Sequence, residues 1–245
     1  MITGIVLTKN EEKNIKKCLE SLSFCDEILI IDDYSNDKTI DISKKFHNVK
    51  IHERKLDNDF SSQRNYGLKI AKNEWVLFLD ADEIVSNNLK VEIEKAVVDA
   101  SCYGYFIKRN DFIFGKKLKY GDTGRIKLLR LGKKSGGEWV GKVHEVWKIN
   151  RKTEILKNPI IHYPHQTLRE FIHEIGLYSS MRADELYKDG KKSDLLDIIF
   201  YPKFKFLNLY ILKLGFLDGI EGFVHAMFMS LYSFLVRGKL YLKNK

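Results

Sequence analysis

The sequence contains little cysteine and little proline. Cys18, Cys25 and Cys102 are the only cysteines among 245 residues, and their spacing does not match a metal-ligand pattern. We therefore expect reduced thiols in a cytosolic setting and not a disulfide scaffold, with Cys18 on the apolar face of a helix. With three prolines and no low-complexity tract, the chain has no obvious linker.

Two kinds of hydrophobic segment are also missing. Residues 1–7 lack the basic region and cleavage site of a signal peptide, so we expect a first strand and a cytoplasmic protein. The uncharged run at residues 222–236 has 15 residues, fewer than the roughly 20 that a membrane-spanning helix needs. A spanning helix is therefore not expected from this run.

The net charge and the length of the chain leave several functions open. A net charge of +9 favours an anionic partner, which could be a nucleotide, a nucleic acid or a membrane surface. The chain of 245 residues is long enough for one large α/β domain with an appendage. The position of the charges and motifs along the chain has to decide among these partners.

Apolar segments alternate with helical patterns along the first eighty residues. Strands are predicted at residues 2–7, 27–31, 49–52 and 75–79, with a helix between each pair. This alternation predicts an α/β fold with a parallel, doubly wound sheet.

The fourth of these strands ends at two aspartates. Five large apolar residues at 75–79 indicate a strand buried on both faces, and Asp80, Ala81 and Asp82 follow at its carboxyl end. Ligands bind at that edge of open α/β sheets, and two carboxylates suit Mg²⁺ or Mn²⁺ carrying a phosphorylated substrate. A solvated, Asp-rich turn explains these residues equally well.

Two earlier strands also end in polar side chains. Asn10 and Glu11 follow the first strand, and Asp32, Asp33 and Asp37 follow the second. Because the ends of parallel strands meet at one edge, these groups should line one crevice with the later aspartates. The convergence favours a metal and nucleotide site, although three polar loops could also arise by chance.

Four motifs resemble those of a known family. Their order resembles the GT-A fold of the family 2 inverting glycosyltransferases, and the motifs occupy residues 8–11, 30–37, 62–67 and 78–83. The resemblance implies a central, mostly parallel sheet and binding of a nucleotide-diphosphate sugar, with no nucleic-acid partner. The sugar donor would contact residues from all four motifs.

The resemblance also implies roles for individual residues. Thr8, Asn10 and Glu11 would line the nucleotide pocket, and Asp32 or Asp33 would bind the nucleobase. Arg64 would lie near the diphosphate; a solvated helix residue paired with a nearby carboxylate is the alternative. The triplet of Asp80, Ala81 and Asp82 matches the family's DxD motif, with Asp82 favoured over Asp80 as the direct ligand of Mn²⁺ or Mg²⁺.

The predicted reaction requires a base in addition to the metal. Displacing a nucleoside diphosphate from an anomeric carbon leaves negative charge that a divalent ion stabilises, so the attacking hydroxyl still has to lose a proton. Residues 143–145, preceded by a stretch ending in Arg130, are similar to the lipopolysaccharide-core β-glucosyltransferase subgroup. That likeness implies Glu145 as the base with His144 nearby. Alternatively, Glu145 only pairs with Lys142 or Arg130.

Histidines and missing motifs refine the expected site. His162 is predicted to close a strand beside the crevice, where it could reach the metal, whereas His173 should be exposed on a helix with a capping box at Thr167 and Glu170. The Gln-x-x-Arg-Trp motif of processive members does not occur. Transfer of a single sugar is therefore expected.

The composition changes near residue 198. Residues 198–245 carry seven Lys or Arg against two acidic residues, a net charge of +5, mixed with large apolar residues. We expect a glycosyltransferase domain at 1–197, with a nucleotide half at 1–100 and an acceptor half at 101–197, and an interfacial helical hairpin at 198–245. The alternative is a helix pair packed on the catalytic domain or on a second subunit.

These expectations combine into one function with three alternatives. The chain should transfer one hexose, most simply from a UDP-sugar, to a hydroxyl of a cell-envelope glycan or lipid-linked saccharide at the inner face of the plasma membrane. A haloacid-dehalogenase-type phosphatase would carry its Asp-x-Asp nearer the N-terminus, and a nucleotidyltransferase would carry a Gly-rich basic loop after the first strand. A non-catalytic membrane-associated binding protein on the same scaffold remains the third alternative.

Overall fold

The computed structural model describes residues 1–98, 101–142, 145–164 and 166–245. Its contacts divide the chain into two compact units. The first comprises residues 1–109 and 127–162, and the second comprises residues 110–126 and 163–245. The α-helices are α1 (Ile15–Ser21), α2 (Thr39–Ser43), α3 (Phe60–Ile70), α4 (Asn87–Ala96), α5 (Leu168–Lys188), α6 (Leu195–Leu207) and α7 (Gly219–Lys243).

The strands begin with the predicted alternation and then depart from it. They are β1 (Ile2–Thr8), β2 (Glu27–Asp32), β3 (Val49–Glu53), β4 (Trp75–Asp80), β5 (Glu83–Val85), β6 (Gly104–Ile113), β7 (Lys116–Lys117), β8 (Lys127–Lys133), β9 (Gly137–Val140), β10 (Val146–Ile149), β11 (Thr153–Ile155) and β12 (Ile160–His162). The main sheet has the order β3-β2-β1-β4-β8-β6-β12-β5, and β9 pairs with β10 in a separate hairpin.

The parallel part of the sheet confirms the predicted fold class. Strands β3, β2, β1 and β4 pair in parallel, so Thr8 lies beside Asp32 and Leu7 lies beside Asp80. The carboxyl ends of β1, β2 and β4 therefore meet at one edge, as expected for an open α/β sheet. Beyond β4 the sheet continues with antiparallel pairs, first β4 with β8 and then β8 with β6.

The core explains why β4 is uniformly apolar. Apolar side chains from β1, β2 and β4 alternate between two buried clusters. Ile15 and Leu19 of α1 cover one face together with Leu89 and Ile93 of α4, and the second cluster includes Leu68 of α3. All three cysteines are free and buried, and Cys18 lies in the core as predicted.

Two predicted loops are wrong. In the sequence, residues 110–120 and 133–137 are rich in glycine and lysine, which predicts a loop at each place. In the structure, β6 continues to Ile113 and pairs with β7. Residues 133–137 include the end of β8 and a 3₁₀ turn, Lys134–Gly136, before β9 begins. Glycine and lysine content led to the loop prediction, whereas the local β6–β7 hairpin orders the first segment, and pairing with β4 and β10 orders the second.

The second unit is mainly helical and includes the predicted C-terminal helices. Helix α7 packs against both α5 and α6, and the expected capping box at Thr167 and Glu170 begins α5. His173 is exposed on this helix, as predicted. Because α5 packs with α7, the longer segment of this unit begins at residue 163. The sequence suggested a boundary after residue 197. The assignment of residues 1–197 as one functional domain stays a prediction.

Helix α7 is longer than the uncharged run that marks it in the sequence. The helical stretch Gly215–Lys243 has 29 residues and a mean hydropathy of 1.3 in its most apolar window, of which 22% is buried. By length and composition it could cross a membrane, so the expectation drawn from the 15-residue run underestimated the helix. Length and composition alone do not distinguish a spanning helix from one that packs within a protein.

Candidate active site

The acidic turn lies where the sequence placed it, at the carboxyl end of a buried parallel strand. Val76 to Leu79 of β4 are fully buried, and the strand ends at Asp80. Ala81 is buried, and Glu83 begins β5. The Glu83 side chain folds back and accepts a hydrogen bond from the Asp80 backbone N–H at 2.9 Å. This contact closes the turn that carries both aspartates.

Asp80 is held by two arginines. Its Oδ1 lies 2.8 Å from Arg64 Nη2, and its Oδ2 lies 2.5 Å from Arg130 Nη2. Both arginine side chains are only 4% exposed. Burial alone would raise the pKa of the Asp80 carboxyl, but Arg130 and then Arg64 hold it well below its usual range. Asp80 is therefore a carboxylate that contacts a buried cation at each of its two oxygens.

Arg64 connects this turn to the predicted base. Its Nε donates to Glu145 Oε1 at 2.7 Å while its Nη2 holds Asp80. The alternative considered from sequence was a solvated helix residue paired with a nearby carboxylate. The pairing with carboxylates is present, but Arg64 is buried, and its guanidinium carbon lies 4.7 Å from the Trp139 ring centroid. Glu145 accordingly pairs with Arg64, which was not among the basic partners considered from sequence.

An aromatic cluster supports the segment that carries Glu145. Glu145 immediately precedes β10, whose Trp147 stacks on Trp139 of β9 with ring centroids 5.6 Å apart. Both indole rings meet the edge or face of Phe78 of β4 at 5.0 and 5.2 Å. The hairpin is thus packed directly on the strand that ends at the acidic turn. His144, which the sequence suggested as an accessory residue, lies outside the described residues.

Asp82 has a different partner from Asp80. Its Oδ2 lies 3.1 Å from His162 Nε2, with side-chain exposures of 23% and 10%. Burial tends to raise the pKa of Asp82, but His162 outweighs this effect and lowers it. His162 ends β12 as predicted, and this strand pairs with β5, which brings His162 beside Glu83. The predicted proximity of His162 to the acidic turn is therefore present.

The pair of Asp82 and His162 suits a divalent metal that is completed by a ligand. Neighbouring ligands of an octahedral ion with bonds of ~2.1 Å lie about 3 Å apart, close to the separation of these two atoms. Across the part of the chain that the structure describes, no group of three or more His, Cys, Asp or Glu forms a metal cage. Mg²⁺ and Mn²⁺ sites commonly use one or two protein ligands, with phosphate and water supplying the rest.

Two further charged residues of this cluster were not identified from the sequence. Glu83 is fully buried, and its Oε1 lies 3.1 Å from Arg130 and 3.6 Å from Arg109. Burial and the nearby Asp80 raise the pKa of Glu83 against the opposing effect of Arg130. Glu83 could have been identified from the sequence, because it directly follows Asp82. Arg109 gave no signal, because only strand pairing brings β6 close to the turn.

The other polar strand ends also meet as predicted. Asn10 has a left-handed backbone, with φ of 56°, and its Oδ1 accepts from Asn36 N at 2.7 Å. The backbone N–H of Glu11 donates to Thr39 Oγ1 at 2.7 Å. Thr8 Oγ1 is buried and has no hydrogen-bond partner within the described residues. The loops after β1 and β2 are therefore interlocked.

The two candidates for nucleobase binding differ in accessibility. Asp32 is fully buried, and its carboxylate accepts from Ser35 N at 2.8 Å and from Ser35 Oγ at 2.5 Å. The Asp33 side chain is 24% exposed and accepts from Leu56 N at 2.9 Å. Asp32 thus stabilises its own turn, while the Asp33 side chain is partly exposed.

This fold and site define a GT-A type sugar transferase. The chain belongs to glycosyl transferase family 2, whose family model matches residues 3–169. It is 26% identical to the lipopolysaccharide core biosynthesis glycosyltransferase LpsC of Rhizobium meliloti strain 1021, over 99% of this chain and 93% of that protein. The family match supports the glycosyltransferase among the classes considered from sequence.

Solved structures share the fold. S. aureus TarS 1–349 in complex with UDP-GlcNAc superimposes with a TM-score of 0.51 at 16% identity, covering 100% of this chain and 92% of that chain. The mannosyltransferase PcManGT of Pyrobaculum calidifontis, in complex with GDP-Man and Mn²⁺, gives a TM-score of 0.56 at 12% identity, with coverage of 100% and 88%. At these identities the likeness concerns the fold.

Proposed function

We propose that the protein transfers a single hexose from a UDP-sugar, with inversion, to a hydroxyl of a cell-envelope glycan or lipid-linked saccharide. The observation that carries this proposal is the position of Arg64, whose guanidinium contacts both Asp80 of the acidic turn and Glu145. The Arg64 side chain thus bridges the proposed donor-binding turn and the proposed carboxylate base. The lipopolysaccharide-core relative and the TarS complexes with UDP and UDP-GlcNAc support the acceptor class and the donor class.

The donor diphosphate would be held at Asp82 and His162 together with Mn²⁺ or Mg²⁺. When bound, the ion would offset the charge that develops on the leaving diphosphate. The Mn²⁺ in the PcManGT complex supports this assignment. Arg64 and Arg130 add positive charge beside the same turn, although their nearest contacts are to carboxylates.

The nucleoside would lie across the ends of β1 and β2. Asp33 is the better candidate for the nucleobase, because Asp32 already accepts two hydrogen bonds from Ser35. The buried hydroxyl of Thr8 offers an unused hydrogen-bonding group at the end of β1. Asn10 and Glu11 hold the adjoining loop in place.

Glu145 would remove the proton from the acceptor hydroxyl. That oxygen forms a new bond to the anomeric carbon while the bond from this carbon to the diphosphate breaks, so attack from the opposite face inverts the centre. Arg64 occupies only Oε1 of Glu145 through its Nε. This contact would orient the carboxylate toward the acceptor.

The C-terminal helices would place the protein on the inner surface of the plasma membrane. Large apolar side chains of α6 are exposed along the helix, and none of its 13 residues is buried. Such a surface suits the interface of a bilayer, and the basic tail suits anionic lipids. Pairing of two copies through these helices is the competing arrangement.

Donor turnover tests the proposal directly. Purified protein is incubated with Mn²⁺ and a panel of UDP-, GDP- and CDP-sugars, and the release of nucleoside diphosphate is measured. We expect slow, Mn²⁺-dependent hydrolysis of a UDP-hexose and a loss of at least 100-fold in Asp82→Ala. His173→Ala, on an exposed helix, provides the control with normal turnover. If no nucleotide sugar binds or reacts, the enzymatic proposal is wrong.

A further inference from the structure

The two aspartates of the acidic turn have different surroundings. Asp82 faces His162, whereas both carboxylate oxygens of Asp80 contact guanidinium groups. The charge of Asp80 is therefore offset by two buried cations, of which Arg64 is shared with Glu145 and Arg130 with Glu83. A divalent ion gains less Coulomb energy from such a carboxylate than from one without an arginine partner at this distance. The two aspartates of the Asp-x-Asp pattern are therefore not equivalent as metal ligands.

Arg64 is constrained on several sides. Its Nη2 meets Asp80, its Nε meets Glu145, and its guanidinium carbon lies 4.7 Å from the Trp139 ring centroid. A guanidinium is planar and presents its donors in a rigid fork. Because the fork is rigid, fixing Nη2 on Asp80 also fixes where Nε holds Glu145.

Arg130 completes this arrangement from the opposite side. Its Nη2 lies 2.5 Å from Asp80 Oδ2 and 3.1 Å from Glu83 Oε1. Glu83 in turn accepts from the Asp80 backbone. The Asp80 carboxylate is consequently fixed at both oxygens, and its backbone is fixed as well. Such a side chain is suited to orienting a neighbour.

We infer that Arg64 is a positioning residue through which Asp80 orients the base Glu145, and that Asp80 does not ligate the metal. This inference rests on the proposed function, in which Glu145 is the base. Loss of the Asp80 carboxylate would release Nη2 of Arg64 and shift Glu145. Small displacements of a reacting group can cost about 100-fold in rate. Binding of UDP with Mn²⁺ would be retained, because Asp82 and His162 are unchanged.

The experiment compares binding with turnover in four purified proteins: wild type, Asp80→Asn, Asp82→Asn and Glu145→Gln. UDP affinity is measured by calorimetry with Mn²⁺, and kcat is measured with the UDP-sugar that the donor panel identifies. We expect Asp80→Asn to lower kcat about 100-fold and to change UDP affinity by less than about threefold. Asp82→Asn should lose Mn²⁺-dependent UDP binding.

A double-mutant cycle separates positioning from an independent role. In the Glu145→Gln background, Asp80→Asn should change kcat by less than about threefold, since its effect passes through Glu145. Multiplicative effects on kcat, or loss of Mn²⁺-dependent UDP binding in Asp80→Asn, would overturn the inference. An unchanged kcat in Glu145→Gln would also show that Glu145 is not the base. The loss of Mn²⁺-dependent UDP binding in Asp82→Asn would still test the proposed donor site independently.

A second variant covers the case in which Asp80→Asn does not fold. Arg64→Lys keeps a positive charge but removes the fork that spans the two carboxylates. The same cycle is then measured with Arg64→Lys and Glu145→Gln, after thermal unfolding confirms a native protein. Non-additive effects on kcat with unchanged UDP affinity are again expected, and additive effects would contradict the positioning role.

Discussion

The side-chain amide of Asn65 exchanges two hydrogen bonds with the backbone of Trp139. Asn65 Nδ2 donates to Trp139 O at 2.8 Å, and Trp139 N donates to Asn65 Oδ1 at 2.9 Å. A residue of α3 thereby takes the place of a neighbouring strand along β9. Asn65 directly follows Arg64 in α3. One turn of this helix therefore contacts both the hairpin, through Asn65, and the Glu145 side chain, through Arg64.

Replacing Asn65 should therefore weaken the hairpin. Asn65→Ala removes both hydrogen bonds and leaves two backbone groups of Trp139 without these partners, which should cost about 1–3 kcal/mol in unfolding free energy. Urea denaturation of the purified variant measures this loss. The exposed Asn150→Ala serves as the control and should change stability by less than about 0.5 kcal/mol. Equal stability of the two variants would contradict the role of Asn65.

His162 should contribute to metal affinity. His162→Ala leaves Asp82 as the remaining member of the pair, so the Mn²⁺ concentration that supports half-maximal UDP binding should rise about tenfold or more. Calorimetric titration of UDP at several Mn²⁺ concentrations measures this shift. His173→Ala should behave as wild type, and a similar response from both histidine variants would remove His162 from the metal site.

Substitution of Asp32 should mainly lower the stability of the protein, whereas substitution of Asp33 should mainly weaken nucleotide binding. Asp33→Ala should weaken UDP binding about tenfold and lower Tm less than Asp32→Ala does, since the Asp33 side chain is partly exposed. Asp32→Ala should lower Tm by several degrees, because it removes two hydrogen bonds that Ser35 donates to a fully buried carboxylate. Thermal unfolding with and without UDP records both effects. A reversed pattern would assign the nucleobase to Asp32.

Glu27 should make stability depend on pH. Its buried carboxylate accepts from Lys50 Nζ at 2.8 Å and from Lys72 N at 3.1 Å. Burial alone would raise the pKa of Glu27, but the hydrogen bonds from Lys50 and Lys72 outweigh this effect and lower it. A lowered folded-state pKa stabilises the protein above the unfolded-state pKa, which is about 4.3 for Glu, and this stabilisation is lost as pH falls further.

The measurement compares wild type with Glu27→Gln between pH 7 and pH 3. The wild type should be more stable by about 1–2 kcal/mol at neutral pH, and the difference should shrink as pH falls below about 4.3. Asp57→Asn is the control, because the ion pair of Asp57 with Lys55 is largely exposed. A difference between wild type and Glu27→Gln that stays constant with pH would exclude this linkage.

The exposed apolar residues near the start of α7 should bind lipid. Leu217 and Ile155 are both 52% exposed, but only Leu217 belongs to the helical unit. Leu217→Asp should reduce binding to vesicles containing phosphatidylglycerol about fivefold or more, whereas Ile155→Asp should not. Co-sedimentation with these vesicles gives the comparison. If the wild type does not bind them, the membrane proposal fails.

Much of the first unit was predictable from sequence. The strands β1 to β4 and the helices between them follow from apolar periodicity, which is a local property of the chain. The acidic turn was located for the same reason, because an apolar run that stops at two aspartates marks a strand end. The length of α7 was underestimated, since charged residues and glycines continue the helix on both sides of the uncharged run.

The sequence by itself therefore determined the α/β order, the acidic turn after β4 and the candidate base Glu145. Only the tertiary structure decided which side chains contact each aspartate, with Asp80 between two arginines and Asp82 against His162. Arg64 and Glu145 are separated by 81 positions in the chain, yet their side chains meet at 2.7 Å. Local periodicity cannot encode such a contact, because it depends on how strands and hairpins pack across the sheet.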